Sequence, residues 1–230
     1  MELSPLLSAA KSGELEKVKE LVEGGNDVNE TAKNGSSALI LAAQKNHTHI
    51  VKYLLENDAD ANKTTSMGGT ALNRAAENGN TEMMQLLFNH NAKVGDLALI
   101  SAAREGHLEV VKLLVENSAD VNVRQRWGKT PLMLAARDGH FEIVKYLVEN
   151  GANVKIKSKD GETALSLALD NDNVEIAAQL RRAGASNPAQ KVSNPVLDED
   201  DEDVEIDEEF TDLPDEEEFP GEEDPDEDKK

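Results

Sequence analysis

The sequence predicts an all-α repeat solenoid, because the same short pattern returns at a fixed interval along the chain. Pairs of alanines recur with steps of 33, 33, 27, 33 and 33 residues, the last to an Ala-Leu pair. A period in the low thirties is typical of units that bury their apolar faces only by stacking on neighbours. Such solenoids usually bind other macromolecules. The pairs are Ala9-Ala10, Ala42-Ala43, Ala75-Ala76, Ala102-Ala103, Ala135-Ala136 and Ala168-Leu169.

The fifth unit shows how one copy is built. Thr130 is a good N-cap, and Pro131 suits the first helical position, where its missing N–H is not needed. Gly139 then breaks this first helix. Apolar residues at helical spacing predict a second helix from Phe141 to Glu149. Gly151 fits the left-handed position that ends a helix, and a short loop with hairpin potential leads to the next copy.

Residues 128–154 resemble the ankyrin repeat, whose pattern is G-x-T-P-L-x-x-A-A, then G-H-x-E-I-V-K-x-L-L, then G-A-x-V-N. The resemblance extends over about residues 4–186 in six copies. It implies helix–loop–helix units joined by short β-hairpin-like loops and stacked into a curved slab. We therefore predict an ankyrin repeat domain over 1–186, with units at about 1–32, 33–64, 65–94, 95–124, 125–156 and 157–186.

Three departures from the family pattern carry expectations. The histidine of the family tetrapeptide is absent from every copy, with Met133 in its place in the fifth. Asp58, Asn91 and Ser118 replace the glycine that ends the second helix. The short step removes six residues between units three and four, where a hairpin should stand, and we expect Asp96 to cap the next helix. The shortened junction is either loop drift or a cleft that admits a bulky partner element.

The net charge of −22 is concentrated at one end of the chain. Residues 187–230 hold 21 Asp and Glu against three Lys, a charge of −18, whereas the first 186 residues carry only −4. We predict a disordered acidic C-terminal tail, because such a segment cannot bury enough apolar surface to fold alone. Spaced apolar residues such as Phe210 and Phe219 leave three interpretations open: a solubilising tail, a docking segment for a basic partner, or a segment that folds back onto the repeats.

The absence of certain residues and segments argues against several classes of function. The chain has no cysteine, so disulfides and thiol catalysis are excluded. No apolar run approaches membrane-spanning length and the N-terminus does not resemble a secretory signal, so we expect a cytoplasmic protein, with the nucleus left open. His47, His107 and His140 recur at the repeat period, which predicts a structural role. We expect a monomer that is not an enzyme and has no cofactor or metal.

The predicted partner-binding site centres on the fourth to sixth units, with Trp127 and Arg137 as its anchors. In the ankyrin family, partners commonly contact the hairpin tips and the exposed positions of the first helix. Trp127 is the only tryptophan, stands at a tip and has basic neighbours, and Trp and Arg are enriched in binding hot spots. The alternative is that Trp127 packs against the next hairpin. The predicted contact residues are Arg104, Arg124, Arg126, Trp127, Lys129, Met133, Arg137, Asp138 and Lys159.

These observations favour a non-enzymatic protein-binding module, an adaptor, inhibitor or scaffold that holds a partner on its concave face. The alternative is a chaperone for a basic client, such as a ribosomal protein or histone, whose charge the tail would neutralise. A nucleic-acid partner is disfavoured, because the basic patch is small and the acidic tail would repel phosphates.

Overall fold

The computed structural model describes residues 3–186, and within them it contains twelve helices and no strand. The helices form six consecutive pairs, as the repeat pattern predicts. The predicted acidic tail lies outside the described residues. The helices are α1 (Pro5–Ser12), α2 (Leu15–Glu23), α3 (Ala38–Gln44), α4 (Thr48–Glu56), α5 (Ala71–Glu77), α6 (Thr81–Asn89), α7 (Asp96–Glu105), α8 (Leu108–Glu116), α9 (Pro131–Arg137), α10 (Phe141–Glu149), α11 (Ala164–Asp170) and α12 (Val174–Arg182).

Hydroxyl side chains start most of the first helices. The Thr130 hydroxyl accepts a hydrogen bond from the Met133 N–H at 3.3 Å, and Pro131 occupies the first helical position. The bond satisfies one of the N–H groups that a helix start leaves without a partner. Helix α10 runs from Phe141 to Glu149. The caps and both helix boundaries predicted for the fifth unit are therefore confirmed.

The core lies where the first helices stack on one another in the order α1, α3, α5, α7, α9 and α11. The alanine pairs of the first five units are buried at this contact. A methyl side chain lets two helix backbones approach closely, whereas leucine at the same place would hold them apart. The second helices pack alongside with Ile, Val, Leu and Met, such as Ile143 and Leu147. The repeating alanines thus report the stacking contact directly.

The second helices end in left-handed backbone. Asp58, Asn91 and Ser118 have φ angles of 62°, 61° and 66°, and Gly151 has a φ of 88°. Residues other than glycine rarely adopt this backbone conformation, in which asparagine and aspartate are the best tolerated. The prediction that these three residues take over the position of the helix-ending glycine is confirmed.

The recurring histidines tie each unit to the one before it. Nε2 of His140 donates to the Arg104 carbonyl at 2.8 Å, and Nε2 of His107 donates to the Glu77 carbonyl at 3.0 Å. Because a carbonyl only accepts, Nε2 must carry the proton. Each ring also lies against a glycine of the preceding unit. A Cβ on Gly106 would stand 2.7 Å from Cε1 of His140. The predicted structural role of these histidines is confirmed.

Four units carry a hairpin-like loop before their first helix, and we call these loops fingers two, three, five and six after their units. Each finger closes with the same two backbone hydrogen bonds. In finger five, the Gln125 N–H donates to the Lys129 carbonyl at 3.0 Å and the Gly128 N–H to the Gln125 carbonyl at 2.7 Å. The fingers comprise residues 32–36, 65–69, 125–129 and 158–162.

The fourth unit has no finger. Only residues 90–95 separate α6 from α7, and Gly95 stands at the N-cap position with no side-chain hydrogen bond to the helix. The expectation that Asp96 caps α7 is wrong, because Asp96 is already the first helical residue. The six missing residues leave too little chain for a separate loop. Helix α7 therefore follows the preceding loop without a finger, and it starts two residues earlier than the other first helices, at Asp96.

Asparagine side chains link the loops below the fingers. The Asn122 amide donates to the Gly151 carbonyl at 3.2 Å and its oxygen accepts from the Asn153 N–H at 2.8 Å. Asn29 and Asn62 each make the same two hydrogen bonds to the corresponding loop of the unit that follows. At the junction between units three and four the same repeat position holds Gly95, which has no side chain to make these bonds. We call these contacts the asparagine ladder.

Candidate partner-binding surface

Finger five presents Trp127 to solvent. Gly128 takes a φ of 76°, which closes the turn and leaves Arg126 and Trp127 at its apex. The tryptophan is 59 % exposed, an unusual state for a large apolar side chain. The next finger contacts its backbone, since the Lys159 N–H donates to the Trp127 carbonyl at 3.0 Å. The indole thus keeps most of its surface available for a partner.

Arg126 lies beside this tryptophan, and further exposed cations stand in the two loops that carry fingers five and six. The guanidinium of Arg126 lies 6.0 Å from the centre of the indole ring, at the limit of a cation–π contact. Arg124 donates to the Lys157 carbonyl, which fixes its guanidinium beside the neighbouring finger. We define the basic strip as the exposed cations of the two loops that carry fingers five and six, none of which forms an ion pair within residues 3–186. It consists of Arg124, Arg126, Lys155, Lys157 and Lys159.

Lys129 differs from the strip, because its ammonium lies 3.2 Å from a carboxylate oxygen of Glu162 on the next finger. Both side chains are partly covered. The pair therefore joins fingers five and six and presents little net charge to a partner. A pair that solvent still reaches, as here, contributes about 1 kcal/mol or less to stability.

The predicted arginines of the first helices are also neutralised. Arg137 donates to both carboxylate oxygens of Asp138, at 2.7 and 2.8 Å, and this hydrogen bonding raises the pKa of Arg137 above its already high ordinary value. Arg104 donates to Glu105 at 2.9 Å. In each case the partner is the next residue in the chain. The oppositely charged neighbours in the sequence are the feature that would have indicated this pairing.

Met133 is not a surface residue. It is 1 % exposed and lies in the core of the stack, because the third position of the first helix faces the neighbouring unit. Met133 was predicted among the partner contacts, and its burial corrects that prediction. The other predicted residues divide into exposed residues at or beside the fingers, Lys129 paired across two fingers, and a self-paired group at the end of the first helices.

Two exposed apolar residues were not among the predicted contacts. Met67 stands at the tip of finger three, at the repeat position of Trp127, and is 90 % exposed. Leu97 is 38 % exposed on the first turn of α7, where a finger is missing. The alignment of the repeats would have found Met67, because it occupies the same column as Trp127. Nothing in the sequence marks Leu97 as exposed.

Other site types find no support in the described part of the chain. Residues 3–186 contain no cluster of three or more side chains that could hold a metal ion. Within the same residues, no helix combines the length and the apolar character that crossing a bilayer requires.

Stacked helix pairs with projecting fingers define a repeat protein of the interaction class. A family model described as ankyrin repeats (three copies) matches the chain twice, over residues 6–98 and 99–191. The chain belongs to the ankyrin repeat family. Among solved structures it resembles the human ASB11 ankyrin repeat domain, with 32 % sequence identity and a TM-score of 0.72. The match covers 80 % of this chain and 85 % of that one. The curated proteins include no significant match.

Ankyrin repeats generally mediate protein–protein interaction and are typically not enzymes. The family therefore supports a protein partner for this chain.

Proposed function

We propose that the chain is a non-enzymatic adaptor, inhibitor or scaffold that binds a protein partner through fingers five and six and the adjoining concave face. The observation that carries the proposal is Trp127, a largely exposed indole at the apex of a finger, beside Arg126, which has no carboxylate partner within residues 3–186. An indole supplies a large apolar contact at a low cost in conformational entropy, and unpaired cations favour an acidic partner surface.

The test is a matched pair of finger variants. A partner is captured by the full-length protein from a lysate of its source cells and identified, and its affinity is then measured by calorimetry. Trp127→Ala should weaken binding by at least about 2 kcal/mol, roughly thirtyfold. Asn34→Ala is the control, because Asn34 occupies the same position at the tip of finger two. Its effect should stay within about 0.5 kcal/mol.

Both variants should keep the thermal unfolding curve of the parent protein, since neither side chain belongs to the core. Equal affinities for Trp127→Ala and the parent would remove Trp127 from the interface and with it the proposed location.

A second candidate function rests on the charge of residues 187–230, which is −18. A chaperone for a basic client would use that charge to neutralise the client while the repeats hold it. Deleting residues 187–230 distinguishes the two functions. An adaptor keeps its partner after the deletion, whereas a chaperone loses its client, most clearly at low salt where charge attraction is least screened.

A further inference from the structure

We propose that the place of the missing fourth finger is a docking slot, which a turn of the partner protein enters and fills like a finger. The slot lies between finger three (residues 65–69) and finger five (residues 125–129), above the first turn of α7. The inference rests on the proposed protein-binding function and adds how the partner is held.

Neighbouring fingers are joined by one recurring backbone hydrogen bond. The Ser66 N–H donates to the Asn34 carbonyl at 2.9 Å, which joins fingers two and three. The Lys159 N–H donates to the Trp127 carbonyl at 3.0 Å, which joins fingers five and six. Ser66 and Lys159 occupy the same repeat position, as do Asn34 and Trp127. The fingers therefore stand as two bonded pairs, with the slot between the pairs.

On the two walls of the slot, the carbonyl and the N–H that join neighbouring fingers elsewhere have no partners. The Met67 carbonyl on finger three corresponds to those of Asn34 and Trp127, and it accepts no hydrogen bond within residues 3–186. The Arg126 N–H on finger five corresponds to those of Ser66 and Lys159, and it donates none within the same residues. One wall thus offers an acceptor and the other a donor. A turn of polypeptide can satisfy both walls, because every residue other than proline supplies one N–H and one carbonyl.

The glycines at the fingertips show that the slot is open. A Cβ on Gly35 would stand 2.8 Å from the Thr64 carbonyl oxygen, and one on Gly128 would stand 3.3 Å from the Lys159 nitrogen. A Cβ on Gly68 would meet nothing within 4 Å, because no finger follows it. With stacked helices about 10 Å apart, the flanking fingers are separated by about 20 Å, which leaves the width of one finger.

The slot combines exposed apolar side chains with polar and charged ones. Of the four large apolar side chains exposed within residues 3–186, three border the slot, namely Met67, Leu97 and Trp127. At the base of the slot a cavity of about 180 Å³ is lined by Val94 and Leu99 and also by Asp96 and Asp120, so an acidic residue of the occupant should face Arg126 rather than this floor. An exposed apolar group of this kind marks an interaction site more often than a monomer surface. The occupying turn should therefore carry at least one large apolar side chain.

Charge and an unsatisfied polar atom complete the description of the occupant. Arg126 stands on finger five without a carboxylate partner within residues 3–186, so the turn should also carry an acidic residue placed beside it. Under the slot, Oδ1 of the buried Asn73 has no hydrogen-bond partner and lies 3.9 Å from the place of a Cβ on Gly95. We infer an acidic, apolar turn of a protein partner whose backbone bridges Met67 and Arg126.

The probe for the test is a phage library of disulfide-closed loops of seven residues, selected against the full-length protein. Recovered loops are synthesised, and their binding is followed through the fluorescence of Trp127, the only tryptophan in the chain. We expect the loops to be enriched in Asp or Glu together with a large apolar residue. A selection that returns no binding loop would overturn the slot.

A pair of substitutions isolates the backbone donor. Arg126→Ala removes the cation and keeps the N–H, whereas Arg126→Pro removes both. Arg126 is the second residue of the turn closed by Gly128 and Gln125, a place that proline favours, so the turn should survive. Loops should bind Arg126→Pro at least about fivefold more weakly than Arg126→Ala. Equal binding to the two variants would show that the N–H is not used and would overturn the pairing.

Filling the slot is the second arm. Replacing residues 95–96 by a copy of residues 29–36 restores the 33-residue period and a fourth finger and adds no second tryptophan. Loops selected on the parent should lose binding to this variant, and equal binding would place them elsewhere and refute the slot. If the variant unfolds, the Arg126 pair decides alone. A concentration-dependent dimer of the parent that slot filling abolishes would assign the slot to a second copy of the chain and refute the partner turn.

The slot and the proposed function can fail separately. A natural partner that needs Trp127 but binds the slot-filled variant and Arg126→Pro normally would keep the function and overturn the slot. Binding of that partner should instead be lost on slot filling.

Discussion

Two neighbouring junctions, between units three and four and between units four and five, have the same contacts between helices. They differ in the contacts on the side of the fingers. On the helix side both are alike, because Gly79 meets His107 as Gly106 meets His140. On the finger side the earlier junction lacks both the asparagine ladder and a finger. The difference teaches that the helix stack and the finger row are separable layers. A unit can lose its finger and still stack, since the stack is held by apolar burial between helices.

The largest expected effect tests whether the helix sides of the two junctions are equal. Gly79→Ala and Gly106→Ala should each lower the free energy of unfolding by about 2 to 3 kcal/mol, because a Cβ strains left-handed backbone and displaces a histidine hydrogen bond. Gly161→Ala is the control, since its φ is also left-handed, at 80°, but the place of its Cβ is open.

Urea unfolding monitored by circular dichroism measures all three changes. The Gly161 variant should lose only about 1 kcal/mol through backbone strain. A cost for Gly79→Ala no greater than that of the control would mean that units three and four stack more loosely than units four and five.

The second effect concerns the asparagine ladder. Asn62→Ala and Asn122→Ala should each cost about 1 to 2 kcal/mol, because each removes two hydrogen bonds between loops. Lys155→Ala is the matched control, as Lys155 occupies the ladder position of the fifth unit and makes no such bonds. Its change should lie within about 0.5 kcal/mol in the same urea titration. Similar losses at all three positions would show that the ladder bonds do not contribute.

The third effect compares a finger N–H that is hydrogen-bonded to the neighbouring finger, at Lys159, with one that is not, at Arg126. Lys159→Pro should cost about 1 kcal/mol, because it deletes the bond to the Trp127 carbonyl, whereas Arg126→Pro should leave stability nearly unchanged. Both changes replace a cation by proline at the same turn position, so each is the control for the other. Amide hydrogen exchange gives an independent measurement, with slow exchange at Lys159 and fast exchange at Arg126. Equal protection at both amides would mean that the slot is closed.

The smallest effect has the opposite sign. Gly95→Ser should stabilise the protein by a few tenths of a kcal/mol, because serine would supply the hydrogen bond that the N-cap of α7 lacks. The backbone of Gly95, with φ −102° and ψ 163°, suits an N-cap residue. Gly95→Ala is the control and should not stabilise. A thermal melt of the three proteins resolves the order, and a serine variant that melts below the parent would contradict the cap assignment.

Most of the fold could be predicted from the residues because one pattern occurs six times. A feature that varies in one copy is still recognised in the others. The cap at Thr130, the ends of α10 and the left-handed Asp58 all follow from local backbone chemistry. Asp96 was misassigned, because its place depends on how much chain remains between α6 and α7. A local preference for capping cannot outweigh a connection that is too short to form a loop.

The candidate surface was predicted less well than the fold. Trp127 and Arg126 were placed at the finger correctly, since their position in the repeat fixes them there. Met133 was misplaced, because its column faces the neighbouring unit, and the charges of Arg104 and Arg137 are cancelled by their own next residues. Which side of a helix faces a neighbour, and which charges pair, are decided by packing.

The sequence by itself determined the period, the six helix pairs and the backbone conformation at their ends, because these depend on residues close together in the chain. Only the tertiary structure showed that the Met67 carbonyl and the Arg126 N–H stand without partners on two sides of one gap. Those groups are 59 residues apart, and a hydrogen bond that is absent leaves no pattern in the sequence. The gap exists because the stack continues through unit four while the finger row does not.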